Sequence, residues 1–201
     1  MNQMTFYTNP ESRSVVVEWL LAELEIDCTR VTLDYGTSMK APEYLAINPF
    51  GKVPALVDGD LVIYETAAIC AYLADKYSDK GLAPALDDPK RGLYYRWLFL
   101  AAGPWEAANV DRLLKVAIAP EQEMFVGYGN YNTLYQAVIK GLTEAQPYLC
   151  GAQFTAADVY VGAGILWELK MGTLQPHPEI LRYVENLRLR PSLQTIAATF
   201  S

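Results

Sequence analysis

The sequence holds a single histidine, His177, and three cysteines, Cys28, Cys70 and Cys150, none of them in a C-x-x-C pair. An odd, widely spaced set excludes a secreted disulfide framework and argues against a thiolate zinc site. The expectation is a reduced, cytoplasmic protein without a metal. With one imidazole, any histidine-based triad depends on His177, which sits in the rigid connector Gln175-Pro176-His177-Pro178 and reads as structural. Basic residues are outnumbered, 16 Lys and Arg against 23 Asp and Glu, for a formal charge of −7. A duplex nucleic-acid binder needs a basic face, so that class is set aside. The longest apolar stretch, Val159 to Trp167, has about nine residues, far below the roughly 20 of a membrane-spanning helix. The beginning, MNQMTFYTNPESR, has no basic segment followed by an apolar core, so no signal peptide is expected. Neither a G-x-x-x-x-G-K-[ST] phosphate loop nor an acidic calcium loop occurs.

What is present is a core-forming chain of 201 residues, 52% hydrophobic and 19% charged. That length suits one domain or two small ones and needs no disulfide staple. Residues 1–80 alternate strands and helices. Thr5–Thr8 reads as a short strand. Val15, Val16, Trp19, Leu20 and Leu24 recur at helical spacing. Cys28 to Asp34 alternates like a strand and buries Cys28, which makes a βαβ unit with parallel strands. One or two helical turns follow over Ala41 to Ile47, and Asn48-Pro49-Phe50-Gly51 is a turn. Val53–Val57 and Leu61–Tyr64 flank Asp58-Gly59, a strong hairpin signal. A helix from Thr66 to Tyr77 completes the set. The polar stretch from Ser78 to Pro89 is a linker, with residues 81–87 as its centre. Residues 88–201 read as all-helical. The expected elements are a long helix to about Val116 kinked at Gly103-Pro104, a helical region from Pro120, and a helix from Tyr131 to Leu149 capped at Gly151. A capping box at Thr155–Asp158 and short helices opened by Pro178 and Pro191 follow.

Chemistry gathers in the first part. A cis bond at Val53-Pro54 would turn the Val53 N–H and C=O outward, free to pair with a peptide-like ligand. Glu65-Thr66 begins a helix, whose free N–H groups and positive dipole end hold a carboxylate, while Glu65 accepts an ammonium. Lys40 and Lys52 can hold a second carboxylate. The set suits a small zwitterionic peptide with a carboxylate at each end.

The run NPFGKVPALVDGD…LVIYETAAICAYLADKY resembles the glutathione-binding half of the cytosolic glutathione S-transferases. The likeness extends over nearly the whole chain, and FTAADVYVG at Phe154 to Gly162 resembles the family's buried capping box. Within the family the chain most resembles bacterial and cyanobacterial members with a Ser-Arg pair at the first helix, here Ser12-Arg13 followed by Trp19-Leu20-Leu21. The resemblance implies an α/β thioredoxin-like domain followed by an all-α helical bundle, usually as a homodimer. It implies a cytoplasmic detoxification enzyme that conjugates glutathione, its co-substrate, to small hydrophobic electrophiles. It further implies that Pro54 is cis, that Val53 pairs with the cysteinyl backbone, that Glu65 and Thr66 hold the γ-glutamyl end, and that Lys52 and Lys40 hold the glycyl carboxylate. Phe99, Trp105 and Asn109 are candidates for the electrophile pocket.

A free thiol titrates near 8.5, so only about 3% is thiolate at pH 7. Lowering that value by two units requires roughly 2.7 kcal/mol of preferential anion stabilisation. Ser12 is the first candidate donor to the sulfur, with Arg13 beside it, and Asn9 and Tyr7 are the alternatives. Ser12 would donate a hydrogen bond rather than attack, since no histidine is near to take its proton, and a helix-cap role competes for the same hydroxyl. The same thiolate could reduce peroxides or disulfides, and the fold also serves as a non-catalytic binding or interaction module.

Overall fold

The computed structural model describes residues 4–196. The chain forms two compact units. One runs up to Leu82 and takes in the segment from Arg190; the other spans Ala83–Leu189.

In the first unit four strands form one sheet: β1 (Thr5–Thr8), β2 (Thr29–Thr32), β3 (Ala55–Asp58) and β4 (Leu61–Tyr64), in the order β2-β1-β3-β4. β1 and β2 are parallel, and β3 is antiparallel to both β1 and β4. This is the thioredoxin-like arrangement. The helix α1 (Ser14–Leu24) crosses from β1 to β2 and buries Val15, Val16, Val17, Trp19, Leu20, Leu21 and Leu24. The short α2 (Pro42–Leu45) begins on Pro42, whose missing N–H costs nothing at a helix start. The β3–β4 turn is two residues long, with Gly59 at φ +64°. After it comes α3 (Thr66–Lys76). Asp58, at the end of the hairpin, accepts from Tyr72 Oη at 2.7 Å and from Lys76 Nζ, which ties α3 to the sheet. The Lys76 bond holds the Asp58 carboxyl below its ordinary range. Cys28 lies just before β2 rather than inside it and is only half-buried, because the pairing with β1 starts at Thr29.

The second unit is helical. α4 (Lys90–Leu100) and α5 (Glu106–Leu113) are joined through a π-helical turn, Ala101–Trp105. Pro104 offers no N–H to the preceding turn, and the wider π turn at the expected Gly103-Pro104 kink absorbs that loss. The helix ends at Leu113, short of Val116. Pro120–Phe125 is 3₁₀ rather than α. α6 (Tyr131–Glu144) also stops early, five residues before the expected Leu149. Pro147 is the reason: a proline interrupts the ladder and disfavours helical geometry just before it, and the Gln146–Pro147 bond is cis. Gly151, at φ +96°, does not cap α6 but pairs with Tyr148 in an isolated bridge.

α7 (Ala156–Lys170) starts with the capping box Thr155–Asp158. Its Asp158 is fully buried and gathers four donors: Leu149 N–H at 2.8 Å, Thr155 N–H and Oγ1 at 2.9 Å each, and Tyr183 Oη at 3.0 Å. Burial still pushes its carboxyl up to about 6. α8 (Pro178–Arg188) is capped by His177, whose Nδ1 accepts the Glu179 N–H at 3.2 Å.

The last described helix, α9 (Pro191–Thr195), belongs with the first unit rather than with the helical residues that precede it, a difference from the expected 88–201 helical domain. Glu23 of α1 holds it there, accepting from Trp19 Nε1 and Arg190 Nε at 3.1 Å each and from Ser192 Oγ. Among the described residues no helix is long and apolar enough to cross a membrane.

Candidate functional site

Strand register fixes where the expected site residues meet. Tyr7 of β1 is opposite Ala55, and Ala55 is opposite Tyr64. The loop leaving β1 (Asn9 to Arg13), the Val53–Pro54 turn before β3 and Glu65–Thr66 after β4 therefore lie at the same end of three neighbouring strands.

The Val53–Pro54 peptide is cis. Among the described residues neither the N–H nor the C=O of Val53 has a hydrogen-bond partner. The turn is held from behind by two residues that sequence reasoning missed. Tyr44 Oη and Asn48 Nδ2 (2.7 Å) both donate to the C=O of Lys52. Asn48 Oδ1 also accepts the Phe50 N–H at 3.1 Å. Burial pushes the Tyr44 phenol up to about 12, so it remains a donor. Asn48 had a signal, as the first residue of an N-P-F-G turn; Tyr44 had none beyond helical spacing. Gly51 closes this segment at φ +56°, and a Cβ there would stand 2.5 Å from the Met39 carbonyl oxygen.

Glu65 has φ +75° and ψ 114°, a conformation rare for a residue with a side chain. Its carboxylate is exposed and makes no bond to the helix it precedes. Thr66, buried, is the first residue of α3, so its N–H points out of the helix unpaired. Lys40 and Lys52 are both exposed. Lys40 Nζ donates one of its hydrogens to the Phe50 carbonyl at 2.9 Å.

Around the start of α1, the Ser12 hydroxyl donates to the Asn9 carbonyl at 2.7 Å, accepts the Ser14 N–H at 3.1 Å and lies 2.9 Å from Ser14 Oγ. Arg13 is the residue directly before the helix. Asn9 is buried and committed on both sides of its amide, donating to Leu33 O at 2.8 Å and accepting the Glu11 N–H at 2.9 Å. Tyr7 packs into the cluster formed by Leu33, Met39, Tyr44 and Ala55, its ring centroid 5.4 Å from that of Tyr44.

The three residues expected around an electrophile are dispersed within the second unit. Phe99 is 71% exposed and packs against Tyr95. Trp105 is buried in the π turn, and Asn109 donates its amide to Glu168 Oε1 at 2.8 Å. Helical periodicity marks both as inward-facing, and the interior claims them. Among the described residues no group of three or more His, Cys, Asp and Glu could hold a metal ion.

The chain is similar to known proteins in sequence and in fold. The family described as Glutathione S-transferase, N-terminal domain, matches residues 2–75. The chain is 31% identical to Glutathione S-transferase 3 of Zea mays, over 98% of this chain and 95% of that protein. It is similar to the crystal structure of a glutathione transferase from Methylococcus capsulatus, with TM-score 0.78 and 27% identity over 98% of each chain. A glutathione transferase homolog from Sulfitobacter, solved with bound glutathione, superposes with TM-score 0.74 and 26% identity over 98% of each chain.

Proposed function

The chain belongs to the glutathione S-transferase family and is a glutathione transferase, and we propose that it binds glutathione across the end of its sheet, lowers the thiol pKa and presents the thiolate to small hydrophobic electrophiles. The observation that carries this reading is the unbonded Val53 backbone beside Glu65 and Thr66 at the start of α3. The Val53 N–H and C=O pair with the cysteinyl residue of the tripeptide, as one strand pairs with another. The N-terminus of α3 and the Thr66 hydroxyl receive the γ-glutamyl carboxylate, and Glu65 accepts its ammonium. The glycyl carboxylate falls to Lys52 and to the two remaining Lys40 hydrogens.

Ser12 is the proposed donor to the sulfur, with Arg13 adding positive potential and Asn9 and Tyr7 as alternatives. Asn9 is the weaker alternative because its amide already ties β1 to the end of β2. Thiolate stabilisation and orientation of the two reactants supply the catalysis. Phe99 remains the proposed contact for the electrophile, with Trp105 and Asn109 acting behind the surface.

The finer placement, with the bacterial and cyanobacterial members that start their first helix on Ser-Arg, rests on Ser12-Arg13 at the start of α1. A cytoplasmic homodimer is part of the proposal. The exposed Phe50, Leu61 and Val62 of the first unit are apolar groups that a partner copy would cover.

The test is a pH titration of the bound glutathione thiol, followed by ultraviolet thiolate absorbance, in the parent and in Ser12→Ala, Asn9→Ala and Tyr7→Phe. A pKa well below 8 in the parent that returns toward the solution value in Ser12→Ala supports the assignment. Binding with an unshifted thiol makes the protein a carrier. No binding at millimolar glutathione overturns the reading.

A further inference from the structure

Glutathione binding as proposed gives no task to a buried acid of the second unit. Glu168, on α7, is 9% exposed. Asn109 of α5 donates Nδ2–H to its Oε1 at 2.8 Å. The remaining prongs of both planar forks, Glu168 Oε2 and Asn109 Oδ1, are buried and have no hydrogen-bond partner. Both are acceptors if the carboxyl is ionised, and flipping the amide only exchanges which acceptor is bare. A proton on Oε2 turns that acceptor into a donor.

We propose that Glu168 holds its proton in mildly acidic solution and donates it through Oε2 to Asn109 Oδ1, closing a two-bond acid–amide ring that clamps α5 to α7 and opens when the proton leaves to solvent. The surroundings are compatible with a neutral acid. From α5 the carboxyl is faced by Arg112 and Glu106, from the π turn by the Trp105 indole, and from α6 by Tyr131. Arg112 is engaged elsewhere. Its guanidinium lies 3.8 Å over the Tyr131 ring and donates to the Thr173 carbonyl at 3.0 Å. Burial is the largest influence on Glu168 and raises its pKa from 4.5 to about 7, against the opposing pull of Asn109, Trp105 and Arg112.

The folded state thus favours the protonated form. Its contribution to stability is complete below the unfolded value of 4.5 and is lost as pH rises through about 7. Glu168→Gln builds the same ring from two amides and does not titrate. Urea unfolding of the full-length protein and of this variant is measured from pH 4.5 to pH 8.5. The ratio of unfolding constants, wild type over variant, is expected to climb by up to about tenfold per pH unit and to flatten near pH 7, a total on the order of 100-fold. A ratio that stays constant, or that falls with pH, overturns the proposal. A second readout does not depend on how well the variant folds. With ¹³C-labelled glutamate, wild type at pH 6 should show a protonated-carboxyl C=O stretch that fades on titration through about pH 7. If every glutamate is ionised at pH 6, the ring does not exist.

Discussion

Removing the carboxylate of Asp158 is the most severe perturbation that the second unit offers. In Asp158→Ala four donors lose their acceptor. Two are hydroxyls, Thr155 Oγ1 and Tyr183 Oη, and can rotate toward other partners. The other two are the backbone N–H groups of Leu149 and Thr155, fixed by the bridge and by the start of α7. A buried donor left bare costs about 1–3 kcal/mol, so the two together cost about 4 kcal/mol. For a chain of this size each kcal/mol lowers Tm by about 2–4 °C, which gives a fall of about 8–16 °C. Asp158→Asn keeps one acceptor oxygen and turns an NH2 group toward two donors, so its loss is intermediate, about 2–3 kcal/mol. Tyr183→Phe removes a single donor and costs about 1 kcal/mol. Equilibrium urea denaturation orders the three. A loss below about 1 kcal/mol for Asp158→Ala, or an equal loss for Asn and Phe variants, would refute the claim that the carboxylate organises this corner.

Arg190→Ala leaves the Glu23 carboxylate, which is 3% exposed, without its cation and should cost about 2–3 kcal/mol, since the Arg190 side chain is itself 31% exposed; proteolysis would then cut the chain after α8 more readily. Gly141→Ala raises intrinsic helix propensity by about 1 kcal/mol, yet its Cβ would lie 2.6 Å from the buried Trp97 ring, so a net loss of about 1–3 kcal/mol is expected by thermal denaturation. Thr66→Val keeps the volume but removes the hydroxyl proposed for the γ-glutamyl carboxylate, and calorimetry should show glutathione binding weakened about tenfold, near 1.4 kcal/mol, with stability almost unchanged.

Much of the fold was legible because local and tertiary signals agreed. The Asp58-Gly59 hairpin, the α1 stripe and the Thr155–Asp158 box are each written in adjacent residues, and packing had no reason to override them. The differences in helix detail share a cause. Pro104 and Pro147 both sit inside helical periodicity, and periodicity reports which face is apolar rather than how the backbone negotiates a missing N–H. One is absorbed by a π turn, the other ends a helix. The return of α9 to the first unit was invisible because it rests on Glu23 meeting Trp19, Arg190 and Ser192, two of them more than 160 residues away. Tyr44 and Asn48, which shape the Val53 turn, escaped for the same reason: their role lies in one carbonyl that both happen to reach.

The donor to the glutathione sulfur is the place where geometry adds what spacing could not. A role for Ser12 as donor to the sulfur competes with its role as a cap, since one proton cannot serve two acceptors. In the structure that proton goes to the Asn9 carbonyl at 2.7 Å, while the oxygen also accepts the Ser14 N–H. A thiolate must therefore win the proton from a neutral carbonyl. Hydrogen bonds to an ionised acceptor are roughly twice as strong as neutral ones, so the exchange favours the anion, and it favours the anion over the thiol, which is the condition for lowering a pKa. A bond of this kind is worth about 1.5–3 kcal/mol, against about 1 kcal/mol for the carbonyl bond given up, a net of about 0.5–2 kcal/mol or roughly half a pH unit to one and a half at 1.36 kcal/mol each. Ser12→Ala should raise the bound thiol's pKa by that amount while leaving glutathione affinity at low pH nearly unchanged, because the neutral thiol gains little from the hydroxyl. Ser12→Thr keeps the donor and should keep the pKa. A variant that loses affinity at every pH, with the thiol pKa unmoved, would assign Ser12 to the helix start alone and return the sulfur to Tyr7, whose hydroxyl has no partner among the described residues.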